Sequence, residues 1–289
     1  MKLRMFVLFL IFALLAGSFG ACGGGERDPY VSTPLLLNDV VATYTFGIAF
    51  HRGNALLRDQ VWAALQVLSA DGTVERIARF WFGYDPTNIP PDPYATRALD
   101  EARERVLIVG FDPSSAPMSF FNQAGELVGF DIDLAQAVAD YYGWTVEFLP
   151  IHWAEREFEL TSGNIDSLWG GVTLTETLQA RLYYTLPYME NRQVFVTMSD
   201  SGVRNLRRLR GGHVALLTGS AAEVALAENA DLRNRFGTVE SQDLLFSALI
   251  ALEQGQVDAV LMDEVAAIYY IHTGDTAAFG GRSAWIDSR

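Results

Sequence analysis

Cysteine is almost absent from this chain: Cys22 is the only one in 289 residues, so no disulfide can form within a monomer. Histidine is nearly as scarce, with His51, His152, His213 and His272 scattered singly. No paired-cysteine metal motif, no His-Glu-x-x-His signature and no Gly-x-Ser-x-Gly nucleophile elbow occurs, so neither a metal nor a cofactor is expected. Basic residues are outnumbered, 21 Lys and Arg against 35 Asp and Glu, for a net charge of −14. Nucleic acid and anionic lipid both attract basic faces, so neither is an expected partner. After the first 16 residues no apolar run approaches the roughly 20 needed to cross a bilayer. Half the chain is nevertheless hydrophobic, which belongs to a globular protein with core enough for one large domain or two lobes.

The one long apolar run, Met5 to Ala16, follows Lys2 and Arg4 and precedes the small residues Gly17, Ser18, Gly20 and Ala21. A charged start, a short apolar segment and a small-residue end define a secretory signal peptide over 1–21. Gly20-Ala21 before Cys22 resembles the site of the lipidated cysteine in bacterial lipoproteins, with Gly23, Gly24 and Gly25 as a flexible tether. Ordinary cleavage that leaves a free thiol is the plainer alternative.

Downstream, Thr45 to Phe50 reads as a strand. A helix from Asn54 to Ala70 places Leu57, Val61, Ala64, Leu65 and Leu68 on one face, and a second helix capped by Thr73 ends at Gly83. Pro86, Pro90, Pro91 and Pro93 then mark a stiff linker. Strands and helices alternate after it: Val106–Phe111 is continuously apolar, as in a sheet covered on both faces. A hairpin turns at Gln123-Ala124-Gly125, and Asp131 reads as the cap of a helix with Leu134, Val138 and Tyr142 inward. Further strands are expected at Thr145–Leu149, Ile165–Trp169, Gln193–Met198, His213–Leu217 and Ala259–Met262, and helices at Ala154–Ser162, after Gly219, at Ser241–Gln254 and at Asp263–His272. Such alternation predicts α/β architecture with largely parallel sheets.

Several blocks carry a family resemblance. Val109-Gly-Phe-Asp112, Ala116-Pro117 and Gly125-Glu-Leu-Val-Gly-Phe-Asp-Ile-Asp-Leu-Ala135 resemble the opening of the polar amino-acid binding proteins of ATP-driven importers. Ser162-Gly-Asn-Ile-Asp166, Gly170-Gly-Val-Thr-Leu-Thr175, Leu209 to Ser220 and Gly255 to Val265 resemble the blocks that follow. The resemblance implies a two-lobed, type 2 periplasmic-binding-protein fold and a monomer that captures a small molecule for an ABC-transporter permease outside the cytoplasm. The order is unusual: stretches resembling the family's C-terminal end, Tyr44–Phe50 and Asn54–Gly83, come first here. This implies a circular permutant whose new cut falls between Ile271 and Tyr44, or else the end of one tandem copy followed by most of the next. The implied layout is 22–44 as tether plus a strand of lobe 2, 45–192 as lobe 1 with a linker at 84–96, and 193–289 as lobe 2. The hinge is expected near Thr43–Gly47 and Asn191–Val196.

The same resemblance assigns the ligand site. Trp153 is the aromatic wall and Asp263 the partner of a ligand ammonium. Gly170, Gly171 and Thr173 present backbone groups and a hydroxyl, Ser220 opens a helix toward an anion, and Asp112 ends a strand at the cleft. One position departs. The family's carboxylate-gripping arginine is replaced by Leu178, and Arg181, one turn on, is the candidate substitute. The expectation is a preference for amine-bearing or amino-acid-like ligands, with plain α-amino acids bound weakly. The alternatives are a dehydratase-like enzyme with Glu190 or Glu155 as acid, and a binding protein whose site has degenerated.

Overall fold

In the computed structural model, which describes residues 32–98, 105–174 and 179–274, the longest element is a strand that the sequence presents as two pieces. Strand β1 (Pro34–Phe50) runs without a break through 17 residues. Its side chains alternate between the faces of the sheet, as period two requires. Phe46, Ile48 and Phe50 enter one core cluster, Ala49 enters the cluster on the opposite face, and Leu36 and Leu37 split in the same way farther back.

After β2 (Val106–Phe111) come β3 (Ser114–Ser115), β4 (Ser119–Phe121) and β5 (Leu127–Val128), which form a small separate antiparallel sheet. The remaining strands are β6 (Thr145–Pro150), β7 (Ser167–Thr173), β8 (Tyr183–Tyr184), β9 (Met189–Met198), β10 (His213–Leu217), β11 (Thr238–Gln242) and β12 (Ala259–Asp263). The large sheet runs β11-β10-β12-β9-β1-β7-β2-β6, with β8 beside β1. Its two flanks are parallel, β6-β2-β7 on one side and β11-β10-β12 on the other. The centre is antiparallel: β1 pairs with β9 from Pro34↔Met198 to Phe46↔Met189, and each pairs antiparallel with its outer neighbour. Parallelism is thus confined to the flanks, where crossover helices make it attainable. The segment from Pro34 to Ala42 lies against β9 and contributes Leu37 to the cluster that contains Phe195, Leu216 and Leu261.

The first flank is covered by the helices Ala55–Ala70, Thr73–Phe82 and Phe130–Tyr142, which share one core cluster with β1, β2 and Trp169. Two polar ties lock these helices together. Trp81 donates from Nε1 to Asp133 at 2.8 Å, and the Tyr142 hydroxyl donates to the Gln60 carbonyl at 2.9 Å.

Four local expectations change. The proline-rich segment is docked, because Ile89 is buried, Thr87 bridges to Met189, and Asn88 and Asp92 donate backbone bonds to Tyr188 and Gln66. Asp131 is not a cap: the helix begins after Gly129, and Asp131 is fully buried. Thr73 is the first residue of its helix, with Gly72 at the cap position. The segment at Ser241 belongs to β11, and the helix starts only at Leu245. Strand β11 is an edge strand of mostly polar, half-exposed residues, which leaves little hydrophobic pattern to read.

Candidate functional site

The carboxyl ends of β2, β7, β10 and β12 open onto one cavity of about 570 Å³. Ligands in open α/β sheets settle at such ends, where loops and helix N-termini converge. Asp112, Trp153, Gly170, Gly171, Thr173, Ser220 and Asp263, the residues expected at the ligand, all line it. Tyr44, Arg156, Glu157, Glu223's neighbour Val224, and Glu228 line it as well.

On the first wall, Asp112 follows β2. Its Oδ1 accepts from the Ser114 amide at 2.9 Å and from the Ser114 hydroxyl at 2.6 Å, a local turn that fixes the carboxylate. Burial pushes its pKa up, against those two bonds and the charges of Arg156 and His152. Beside it, Gly170 and Gly171 both have positive φ, 104° and 72°, which L side chains avoid. A Cβ on Gly170 would stand 2.8 Å from the Ser119 hydroxyl. The paired glycines turn their two N–H groups inward, and both donate to Asp131 Oδ2 at 2.8 Å. The Tyr188 hydroxyl closes the same carboxylate at 2.9 Å. Burial raises the Asp131 pKa to about 6, opposed by these donors. The glycine amides expected to meet a ligand carboxylate are therefore already engaged.

On the second wall, Asp263 stands between β12 and the helix Glu264–Thr273 but makes no side-chain cap bond. Its Oδ1 instead accepts from the side-chain amides of Asn191 and Gln193 on β9, the latter at 2.6 Å. Both bonds fall on one oxygen, and Oδ2 makes no hydrogen bond among the described residues. Burial raises this pKa, offset by the two amides. Ser220 caps the helix Ala221–Glu228 by accepting from the Glu223 amide. The Gly219 amide donates to the Glu223 carboxylate at 2.8 Å, so the chain's own acid occupies part of that helix terminus. Tyr44 reaches Glu228 across 3.3 Å.

Trp153 opens a short turn before the helix Arg156–Ser162. The cation over its ring is Arg156, 4.9 Å from the centroid. The Arg156 Nη1 also donates to the Trp153 carbonyl at 2.6 Å, while its Nε is buried without a partner among the described residues. Burial lowers the Arg156 pKa, and Glu157, Tyr184 and Asp112 oppose the shift. Arg181, expected as a carboxylate partner, does not line the cavity. It is 63% exposed and pairs with Glu157 at 3.1 Å. Leu178 and Cys22 lie outside the described residues. Neither Glu155 nor Glu190 lines the cavity.

Arg156 is not singled out by the sequence and Asp131 is read there only as a cap, yet each carries a signal. Arg156 is three residues after Trp153 and four before the buried Leu160. Asp131 is three, four and seven residues before the buried Leu134, Ala135 and Val138. Helical spacing puts both on an inward face.

Residues 107–239 match the model of the bacterial extracellular solute-binding proteins, family 3. The L-cystine-binding protein TcyJ of Escherichia coli (strain K12) is 28% identical over 192 residues, spanning 64% of this chain and 70% of TcyJ. The substrate-binding protein of an ABC uptake transporter from Streptococcus pneumoniae, solved with bound histidine, aligns with a TM-score of 0.56 at 34% identity, over 58% of this chain and 70% of that one. An ancestral amino acid-binding protein, a precursor of cyclohexadienyl dehydratase, aligns with a TM-score of 0.54 at 28% identity, over 58% and 74%. The chain belongs to this family of solute-binding proteins and has its type 2 periplasmic-binding-protein fold.

Proposed function

We propose that this chain captures a small, amine-bearing, amino-acid-like ligand for an ABC importer, as an exported lipoprotein held by Cys22. The observation that carries the ligand class is the pair of half-buried carboxylates, Asp112 and Asp263, that face one cavity from opposite walls. Each has one oxygen committed to a fixed hydrogen bond, which leaves the other for an ammonium group. Glu157 and Glu228 add to the negative lining, against the guanidinium of Arg156, the single cation among the described lining residues. Such a field favours cationic or neutral side chains over acidic ones. The known relatives named above bind cystine and histidine, which fits this class.

Expression of the Cys22→Ser form tests the anchor and supplies material for the ligand test. The substitution should move the protein from the membrane to the soluble fraction; continued membrane retention would remove the lipid-anchor reading. The soluble form is then screened by thermal shift against amino acids, amines and carboxylates, since a ligand bound only by the folded state raises the midpoint. A response confined to carboxylates lacking an amine would overturn the proposed class. An enzyme reading has less support: one relative is a precursor of a dehydratase, but neither glutamate considered as its acid lines the cavity.

The chain order belongs to the same proposal. The family match covers 107–239, while β1 sits at the sheet centre between β9 and β7. The helices Ala55–Ala70 and Thr73–Phe82 pack in the same cluster as Phe130 and Leu134. That placement supports reading the chain as a circular permutant. A chain reordered to run 105–289 and then 32–98 through a short flexible linker should fold and bind the same ligand; a reordered chain that is soluble but unfolded by circular dichroism would count against permutation.

A further inference from the structure

This inference rests on the amino-acid-like reading and adds the group that takes the ligand's carboxylate. We propose that Arg156 is the carboxylate anchor of this site, serving where Leu178 stands in place of the family's arginine. Most of the other anion donors expected at the cavity are already engaged. The Gly170 and Gly171 amides are spent on Asp131, and the Gly219 amide on Glu223. The Ser220 amide goes to the Leu217 carbonyl at 3.2 Å, and Arg181 is exposed and paired with Glu157. Among the described lining residues Arg156 is the only cation.

Arg156 is also held in place. Its Nη1 is fixed to a backbone carbonyl three residues away and its guanidinium carbon stands 4.9 Å from the Trp153 ring centroid. A guanidinium tethered in this way has given up rotamer freedom before a ligand arrives, so less is lost on binding. Its Nε is buried and has no partner among the described residues, and a buried donor left unpaired is costly. Nη2 makes no hydrogen bond among the described residues and is not buried, so a carboxylate in the cavity would meet the guanidinium there in the charge-assisted pairing that suits arginine.

The company Arg156 keeps points the same way. Asp112 and Arg156 sense each other's charge but form no ion pair within 4 Å among the described residues, and both line the cavity. A fixed carboxylate and a fixed guanidinium that face one cavity unpaired are complementary to a zwitterion. Its ammonium would lie toward Asp112 and Asp263, and its carboxylate toward Arg156. The ligand class narrows accordingly, from amines in general to α-amino acids.

Calorimetry on matched pairs tests this, each α-amino acid set beside the amine left when its carboxylate is removed: histidine with histamine, arginine with agmatine. The wild-type protein should bind the amino acid of at least one pair about tenfold or more tighter than its amine. Arg156→Gln should abolish that preference, weakening the amino acid by roughly 10- to 100-fold while leaving the amine within about threefold. Arg156→Lys, which keeps the charge but not the fork, should recover part of it, and Arg181→Ala should change neither. Thermal midpoints of the variants identify loss of folding, and Arg156→Lys alone then carries the comparison. A preference that survives intact in folded Arg156→Gln overturns the assignment, as does an equal loss for amino acid and amine. A wild-type protein that binds amines but no amino acid more tightly overturns it while the amine-binding reading stands. Binding of neither member of any pair overturns both.

Discussion

The two walls of the cleft offer the same chemical group on different supports. Asp112 is fixed by a turn with its neighbour Ser114, two residues away. Asp263 is fixed by Asn191 and Gln193, some 70 residues earlier and on the central strand β9. The first carboxylate therefore keeps its aim whatever the rest of the molecule does, while the second is aimed by the strand that also pairs with β1. The walls differ in charge as well, since the first also carries Arg156 and the second has no cation among the described lining residues. The first wall is thus built to hold both ends of a zwitterion, and the second to add a carboxylate when it comes near. Were the lobes to close about the hinge expected near Thr43–Gly47 and Asn191–Val196, that division would make ammonium recognition the step coupled to closure.

The largest effect expected is on the first wall's foundation. Asp131 has no counterpart on the second wall: one buried carboxylate takes the amides of Gly170 and Gly171 and the hydroxyl of Tyr188. Asp131→Ala would orphan all three donors, at about 1–3 kcal/mol for each buried group. Stability in urea should fall by roughly 3 kcal/mol or more, and a loss under about 1 kcal/mol would mean the wall does not depend on this staple. Asp131→Asn separates shape from charge. The wild-type carboxyl titrates near 6 in the folded protein against an ordinary 3.8, so between those values the folded state holds more protons than the unfolded one. Stability from this group is then full below about pH 4 and is lost as the pH rises through 6, with a slope of up to about 1.4 kcal/mol per unit. The Asn variant should lack that slope, giving a wild-type advantage at pH 4 that shrinks toward pH 6 and above. An unchanged difference across the window would show that Asp131 is ionised throughout.

The contrast between the walls also marks what sequence could and could not show. The alternation of apolar strands and amphipathic helices is local, so β2, β6, β10 and β12 were legible, as were the residues at their carboxyl ends. The antiparallel centre was not: β1 crosses from one core to another, and Pro34 to Ala42 carries no continuous apolar pattern. Asp112, expected at the ligand, lines the cavity but also makes the bonds of a turn-former. Asp131 was misread because an acid at a helix start suits the cap role, while the Gly170 and Gly171 amides that claim it lie about 40 residues away. Arg156 was passed over because a charged residue in a short helix usually faces water. Its cavity position is set by Trp153 and by the buried Leu160 one turn later.

The smaller effect separates the two carboxylates directly. Asp112→Asn and Asp263→Asn each remove one charge and keep the shape, and the Asn carbonyl can still accept the bonds that now fall on Oδ1. Any loss of affinity then reports the free oxygen and its charge. A hydrogen bond to a charged group contributes about 1.5–3 kcal/mol, so Asp263→Asn should weaken binding of histamine and of histidine alike, by roughly 10- to 100-fold. Asp112 stands in the field of Arg156, which already offsets part of its charge. Asp112→Asn should therefore cost less, about three- to tenfold, and should cost histidine no more than histamine. Calorimetry at neutral pH on both variants with both ligands reads all four values. Equal losses from the two substitutions would erase the distinction between the walls. A larger loss from Asp112→Asn would reverse it, making the locally fixed carboxylate the principal ammonium partner.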